Sequence, residues 1–394
     1  PAGSTAGNLL AQHGIDVAII EQSVFPRFHI GESLLPCDLP IFERLGVCVE
    51  SEKYLRKDGA DFVDERHGER VSYLFKDGLS RSVPHAWQVE RAAFDHLLLK
   101  RAVEVGTQAF EGERVNEVSI EAETVFIQTS KQQIQARYVI DASGQDAFFA
   151  RRDKHAVPIK GFGKAAIFCH FQGLSDEVQS RLAETGNIQI LIVDKGWMWL
   201  IPLVNKRLSV GVVSQGNGIR TDLITQAIEG SPLIQRLTAG AEHTPPRVIR
   251  NFSYLNRKSS GSRFACVGDA ACFLDPVFSS GVSLAMLGAE RLADILAIAL
   301  KQGREDAPDL LKDHREYMMH AYAAFSGLIH SFYNTSMVSN LFFAKDPDLE
   351  LRAGLISMLA GDLWRTDNRF QSLLAQSVRR DSKLRWDPEA LHVS

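Results

Sequence analysis

The sequence predicts an α/β (α+β) fold in which a Rossmann-like nucleotide-binding domain is interrupted by a β-sheet and followed by a helical C-terminal region. Three observations predict it. Pro1-Ala-Gly-Ser-Thr-Ala-Gly7 reads as the closing half of a G-x-G-x-x-G fingerprint, with Gly3 as its last glycine. A second glycine-and-acid element, Gly268-Asp269, follows the apolar strand Phe264-Ala-Cys-Val267 roughly 260 residues later. Between them, from Lys164 to Val213, the pattern is largely that of strands, and from Asp309 onward it is mostly helical.

Composition bounds the function. The chain has 394 residues, 45% hydrophobic and 23% charged, enough to bury a large core in two or three domains. A net charge of -4 leaves no electrostatic footprint for nucleic acid. The one basic cluster, Arg379-Arg380 through Lys383 and Arg385, is interrupted by acids and reads as a solvated tail. Five cysteines (Cys37, Cys48, Cys169, Cys266, Cys272) are an odd number without metal-type spacing, so a reduced, cytoplasmic setting and no metal are expected. No apolar run reaches the ~18 residues of a membrane helix, and no signal peptide is visible.

Taken in order, an apolar helix from Ala6 to Gln12 stops at Gly14, and the strand Val17-Ala-Ile-Ile20 ends in Glu21. An acid at the end of a second strand, about 20 residues past the glycine turn, is where the adenosine ribose of a dinucleotide is held. Gly3, Ser4, Ala6 and Glu21 are therefore candidate cofactor contacts. The first strand and two glycines of the motif are missing, which reads as truncation, and a chain of this length is expected to hold its cofactor weakly. Ala60 to Phe75 reads as strands, Glu90 to Gly106 as an amphipathic helix containing Arg91, and Val115 to Thr129 as hairpin strands. Val139-Ile-Asp141 ends another strand in a polar glycine turn.

Downstream, Gly268-Asp269 is followed by Asp275-Pro276 and Ser279-Ser-Gly-Val282, which opens the helical pattern Gly281 to Leu300. Glycine permits close backbone approach, Asp269 can accept ribityl hydroxyls, and the helix start can face a flavin ring or an anion. The plainer alternative makes Asp269 and Ser279 simple caps. Two nucleotide-type elements so far apart describe one cofactor on a discontinuous domain, which fits FAD better than NAD. The expected segments are 1–59, 89–160 and 256–305 for FAD, 60–88 and 161–255 for the substrate-side sheet, and 306–394 for the helical region. Within that sheet, Lys195-Gly-Trp-Met-Trp-Leu-Ile-Pro202 places Trp197 and Trp199 on one face of an extended segment, where their indoles can wall off a compartment. A core strand after a turn at Asp194-Lys195-Gly196 is the alternative.

These strings resemble those of flavin-dependent halogenases of the phenol or pyrrole type. Phe25-Pro-Arg-Phe-His-Ile-Gly-Glu-Ser-Leu-Leu-Pro36 is similar to the segment after the second strand in that family. Trp197 to Pro202 resembles its W-x-W-x-I-P signature, Gly268 through Val282 its flavin and halide segment, and Leu359-Ala-Gly-Asp-Leu-Trp364 its C-terminal part. The resemblance implies the p-hydroxybenzoate hydroxylase-like FAD fold. It adds Arg27, Ile30, Arg91, Gly268, Asp269, Gly281 and Val282 to the cofactor contacts, and makes Ser280 and Gly281 the halide site, shaped by Phe278 and Ser279. His29 either lines the flavin pocket or is a structural histidine.

The chemistry implied is that FADH2 and oxygen give a C4a-hydroperoxide, which oxidises chloride or bromide to hypohalous acid. A lysine then guides the halogen to the aromatic substrate, free or tethered to an acyl or peptidyl carrier protein. The matching position is Lys57, in Tyr54-Leu-Arg-Lys-Asp-Gly-Ala-Asp-Phe62, with Lys53, Arg56 and Lys76 as competitors. An amine suits the task because it bonds electrophilic halogen when neutral and donates hydrogen bonds when charged, and burial moves it toward that switch. Lys57, Trp197 and Trp199 are the candidate catalytic residues. The glutamate of tryptophan halogenases has no match here, so indole is the less expected substrate. The turn Asp141-Ala-Ser-Gly-Gln-Asp146 departs from the Asp-Gly motif of NADPH-using hydroxylases, so a separate NAD(P)H-dependent flavin reductase is expected. A flavin monooxygenase that hydroxylates its substrate directly, and a catalytically silent flavoprotein, are the alternatives.

Overall fold

The computed structural model describes residues 1–49, 52–159, 161–162, 165–193, 196–214, 222–334 and 341–380. Lys164, Asp194 and Lys195, and the Lys383 and Arg385 end of the basic cluster, lie outside them. Two parallel strand pairs carry the nucleotide-binding half. Ala18–Glu21 pairs with Gln108–Glu111, and Val139–Asp141 with Phe264–Cys266. Strands far apart in sequence are thus neighbours, as the split glycine elements require. The helix Ala2–Gln12 starts earlier than its apolar run, taking Gly3 and Ser4 into its first turn. It packs on Ser280–Gln302 through small residues, with Ala2, Ala6, Ala285 and Ala289 in one cluster. Gly7 is what lets it approach the strand, because a Cβ there would lie 2.8 Å from Ile19 Cδ1.

The second half is a large sheet. Its order is Glu242–His243, Ala165–Gln172, Arg207–Ser214, Gly196–Leu203, Ile188–Val193, Gly59–Asp64 and Glu69–Leu74, with Arg247–Arg250 also paired to Ala165–Gln172. The pairings are antiparallel except Gly59–Asp64 with Ile188–Val193, where the early and late pieces of the sheet join in parallel. Both faces are covered, so the strands read as nearly unbroken apolar runs. Side chains nonetheless alternate: Trp197, Trp199 and Ile201 share a core with Phe62, Phe168 and the C-terminal helices, while Met198 and Leu200 pack on the opposite side. That opposite side is closed by the helices Asp222–Glu229 and Pro232–Leu237.

The helices Lys312–Asn334, Leu349–Leu359 and Arg369–Arg380 form the C-terminal region. Phe342 reaches the sheet with its ring centroid 4.1 Å from that of Phe62. Among the described residues no helix is long and apolar enough to cross a membrane, and no cluster of metal-ligating side chains occurs.

Gly211 makes room for the indole face. A Cβ there would fall 2.2 Å from Trp199 Cζ2, so the ring occupies the space above this backbone. Gly211→Ala is expected to displace the indole and to cost about 1–3 kcal/mol, read by urea unfolding together with a shift in tryptophan emission. Unchanged stability and emission would show that the ring has slack.

Candidate active site

A cavity of about 1980 Å³ runs between the two parallel strand pairs and on to the indole face of the large sheet. Gly3, Ser4, Ala6, Glu21, Arg27, Ile30, Arg91, Gly268, Asp269, Gly281 and Val282 all line it, as do Trp197 and Trp199. Ser280 and Lys57 do not. Ser280 is buried beneath the helix start, and the cavity is met instead by Ser279, in the left-handed region at φ 58°, and by Gly281.

The cradle fits a dinucleotide flavin. At Gly268 a Cβ would come 3.0 Å from Ala285 Cβ and 3.3 Å from Ala2 Cβ, and at Gly281 one would meet Phe273 at 3.2 Å. Glu21 keeps an acid at the end of its strand, with Oε1 accepting from Ser23 N at 2.9 Å. Arg91 is a buried residue, not an exposed helix charge. Its Nε and Nη2 donate to Asp95 at 2.7 and 3.0 Å, and its Nη1 donates to Ile30 O and Gly31 O at 2.7 and 3.1 Å. Four of the five guanidinium N–H groups are thereby used, and one remains for a cofactor.

Arg27 donates to the same carboxylate, Asp95 Oδ2, at 2.9 Å. Burial pushes Asp95 up, but Arg91 and Arg27 together hold it well below the usual carboxylate range. His29 lines the cavity and bonds Ile30 O through Nδ1 at 2.6 Å, which makes that nitrogen the donor. Burial and then Arg91 lower its pKa to about 4, so the ring stays neutral at ordinary pH. Burial raises Asp269 to about 6 against the pull of Arg91.

The indole wall is tied down by polar groups. Trp197 Nε1 donates to Tyr333 Oη at 2.8 Å, and Tyr333 donates onward to Asp275 Oδ2 at 3.0 Å. Trp199 Nε1 donates to Ser209 Oγ at 3.1 Å. The rings lie 5.9 Å apart, and Phe168 continues the row 5.9 Å from Trp199. Tyr333 was beyond sequence reasoning, since nothing local links it to residues 58 and 136 positions away.

Lys57 is 1% exposed, whereas Lys53, Arg56 and Lys76 are exposed. Its Nζ donates to Ser33 Oγ and Leu34 O, both at 2.9 Å, and lies 5.3 Å from the Phe75 ring centroid. Ser33 itself lines the cavity, so one side chain separates the amine from it. Burial lowers Lys57 to about 7, while Asp38 and Cys37 pull it back up. Asp38 is fully buried, raised by burial to about 6, and closes its own turn by accepting from Leu35 N at 3.0 Å.

A glycine-lined dinucleotide cavity ending at an apolar, indole-faced sheet defines a flavoprotein oxidoreductase. Residues 63–372 match the family described as tryptophan halogenase. The chain belongs to this family of flavin-dependent halogenases, which use FAD and halide, and the hydroxylase alternative is not favoured. It is 32% identical over 364 residues to a tryptophan 2-halogenase of Chondromyces crocatus, covering 87% of this chain and 68% of that one. It is 27% identical over 397 residues to the 1H-pyrrole-2-carbonyl-[peptidyl-carrier protein] chlorinase of Pseudomonas fluorescens, covering 92% and 88%. Its fold is similar to the crystal structure of a flavoprotein/dehydrogenase from Cytophaga hutchinsonii, at TM-score 0.86 and 28% identity, covering 96% of this chain and 97% of that one.

The depressed Lys57 pKa has a consequence for stability. As pH falls from the ordinary lysine value of 10.5 to about 7, the unfolded chain takes up this proton and the folded protein does not. Protons bound preferentially by the unfolded state lower stability as pH falls. The wild type should therefore gain stability relative to Lys57→Met as pH rises from about 7 to about 10, as read from paired urea titrations. A difference that does not change with pH would mean that the amine stays charged when folded.

Proposed function

We propose that this halogenase acts on an electron-rich phenol or pyrrole, with Lys57 guiding electrophilic halogen from the cavity to the substrate. The observation that carries this reading is the sealed amine: its pKa of about 7 lets it exist both as a hydrogen-bond donor and as a neutral nucleophile. When bound in the cavity, FAD supplies, with dioxygen, the oxidation of halide to hypohalous acid. Gly3, Ser4, Ala6, Glu21, Arg27, Ile30, Arg91, Gly268, Asp269, Gly281 and Val282 would hold it, with the spare N–H of Arg91 able to donate to it. Gly281 and the backbone of Ser280, at the start of a 23-residue helix, would hold chloride or bromide through amides and the helix dipole.

Trp197 and Trp199 then act as a wall. Their indoles face the cavity, and their N–H groups are spent on Tyr333 and Ser209, which leaves an apolar surface that excludes water and organic substrate. In our reading the segments 1–59, 89–160 and 256–305 serve the cofactor, while 60–88, 161–255 and 306–394 build the substrate side. The Pseudomonas fluorescens relative acts on a carrier-bound pyrrole, which supports a carrier-tethered substrate here. A separate flavin reductase is consistent with the Asp141 turn, where both carboxylate oxygens are spent on the amides of Ser143 and Phe149. Five unpaired cysteines support a reducing, cytoplasmic setting.

The test supplies NADH, flavin reductase, oxygen and halide with a panel of free and carrier-bound phenols and pyrroles. Lys57→Ala should lower halogenated product by about 100-fold or more while reduced flavin is still oxidised. Undiminished product would remove Lys57 from the reaction. Product with added oxygen and no halogen isotope pattern would overturn the halogenation of these substrates.

A further inference from the structure

We propose that Glu32 and His170 form a proton-holding pair that delivers into the cavity the proton consumed in each halogenation; the proposal rests on the halogenase reading above. His170 Nε2 and Glu32 Oε1 are 2.7 Å apart, with the residues 4% and 2% exposed. The other carboxylate oxygen, Glu32 Oε2, is buried without a hydrogen-bond partner, and Glu32 lines the cavity. A carboxylate fixed on one oxygen and idle on the other is costly as structure alone. It is well suited to pass one proton.

The reaction requires such a proton. One arene, one halide, one dioxygen, FADH2 and one proton give the aryl halide, FAD and two waters. Dioxygen accepts four electrons, two from FADH2 and two from the arene and halide. The C–H bond is replaced by C–X, the O–O bond breaks, and new O–H bonds form. In the proposal, Oε2 gives its proton to the oxygen that leaves as water, and His170 restores it.

The pair lies near the surface, since His170 meets Phe28 edge-on at 5.9 Å and Phe28 is 42% exposed, and reprotonation from bulk water requires that ring to swing aside. Neighbouring charges are already committed. Arg247 stacks over Phe28 at 3.8 Å, Arg91 is held by Asp95, His29 bonds Ile30 O, and Lys57 lies behind Ser33. His170 is the side-chain partner of Glu32.

The test compares wild type, Glu32→Gln and Glu32→Ala as full chains, with circular dichroism and FAD binding as controls for folding. Glu32→Gln, which keeps shape but holds no proton, should bind FAD within about twofold of wild type and lose about tenfold or more in halogenation, with hydrogen peroxide released instead. Formate should restore part of the rate to Glu32→Ala. A purely structural clamp would show no such rescue. In flavin-free protein with ¹⁵N-labelled histidine, the His170 imidazole should report a hydrogen-bonded Nε2 whose resonance moves in Glu32→Gln. Retained halogenation and coupling in Glu32→Gln, or a His170 resonance indifferent to that change, overturns the pair. If the wild type itself makes no halogenated product, the underlying functional reading fails instead, and the His170 resonance still decides whether the proton between the two side chains is shared.

Discussion

The rest of the site depends on one ammonium group removed from water. Burying an amine costs several kcal/mol unless its N–H groups find acceptors, and Lys57 finds Ser33 Oγ, Leu34 O and the face of Phe75. Those acceptors must be held in place. The strand Ala86–Gln88 does this from the middle, pairing with Leu55–Lys57 on one side. On its other side it receives the segment Phe25 to Pro36, with Leu34 N donating to Trp87 O at 3.0 Å and Val89 N to Glu32 O at 2.8 Å. A three-residue strand with no chemistry of its own therefore fixes both the amine and its partners.

The cavity depends equally on what is left out of it. Gly7, Gly211 and Gly268 are positions where a single added carbon would meet a strand, an indole or a helix. They convert ordinary helix and sheet packing into space for a cofactor and for flat rings. The apolar wall is stable because its polar ends are satisfied: the Trp197, Tyr333 and Asp275 chain is completed by Val277 N, which donates to Asp275 Oδ1 at 3.0 Å. In the wall itself both indole N–H groups are paired.

Much of this was legible in the sequence, for reasons that are local. Period-two alternation placed Trp197 and Trp199 on one face, and glycine with acid at strand ends placed Gly3, Glu21, Gly268 and Asp269 around one cavity. What was not legible depends on meetings between distant segments. Tyr333 comes from the C-terminal helices, Asp38 acts on Lys57 through its charge, and Gly211 is recognisable only once Trp199 is opposite it. Arg91 read as either an exposed charge or a flavin contact, and its burial against Asp95 settles the first point. His170 carried a usable signal, since it continues the Ala166 and Phe168 row on its strand, but its partner lies 138 residues away.

The segment from Glu32 to Asp38 resolves a conflict that the composition of the site creates. A buried acid and a buried amine close together would neutralise one another, and neither would then be free for a second task. Glu32 and Ser33 are consecutive, and Ser33 is bridged to Gln88 as extended chain, so their side chains leave opposite sides of the backbone. Glu32 turns to His170 on the large sheet, and Ser33 turns to Lys57. The counter-charge that acts on the amine is Asp38, further along the same segment, which opposes the effect of burial. One extended peptide thus carries a buried carboxylate on one side of its backbone and holds a buried amine on the other.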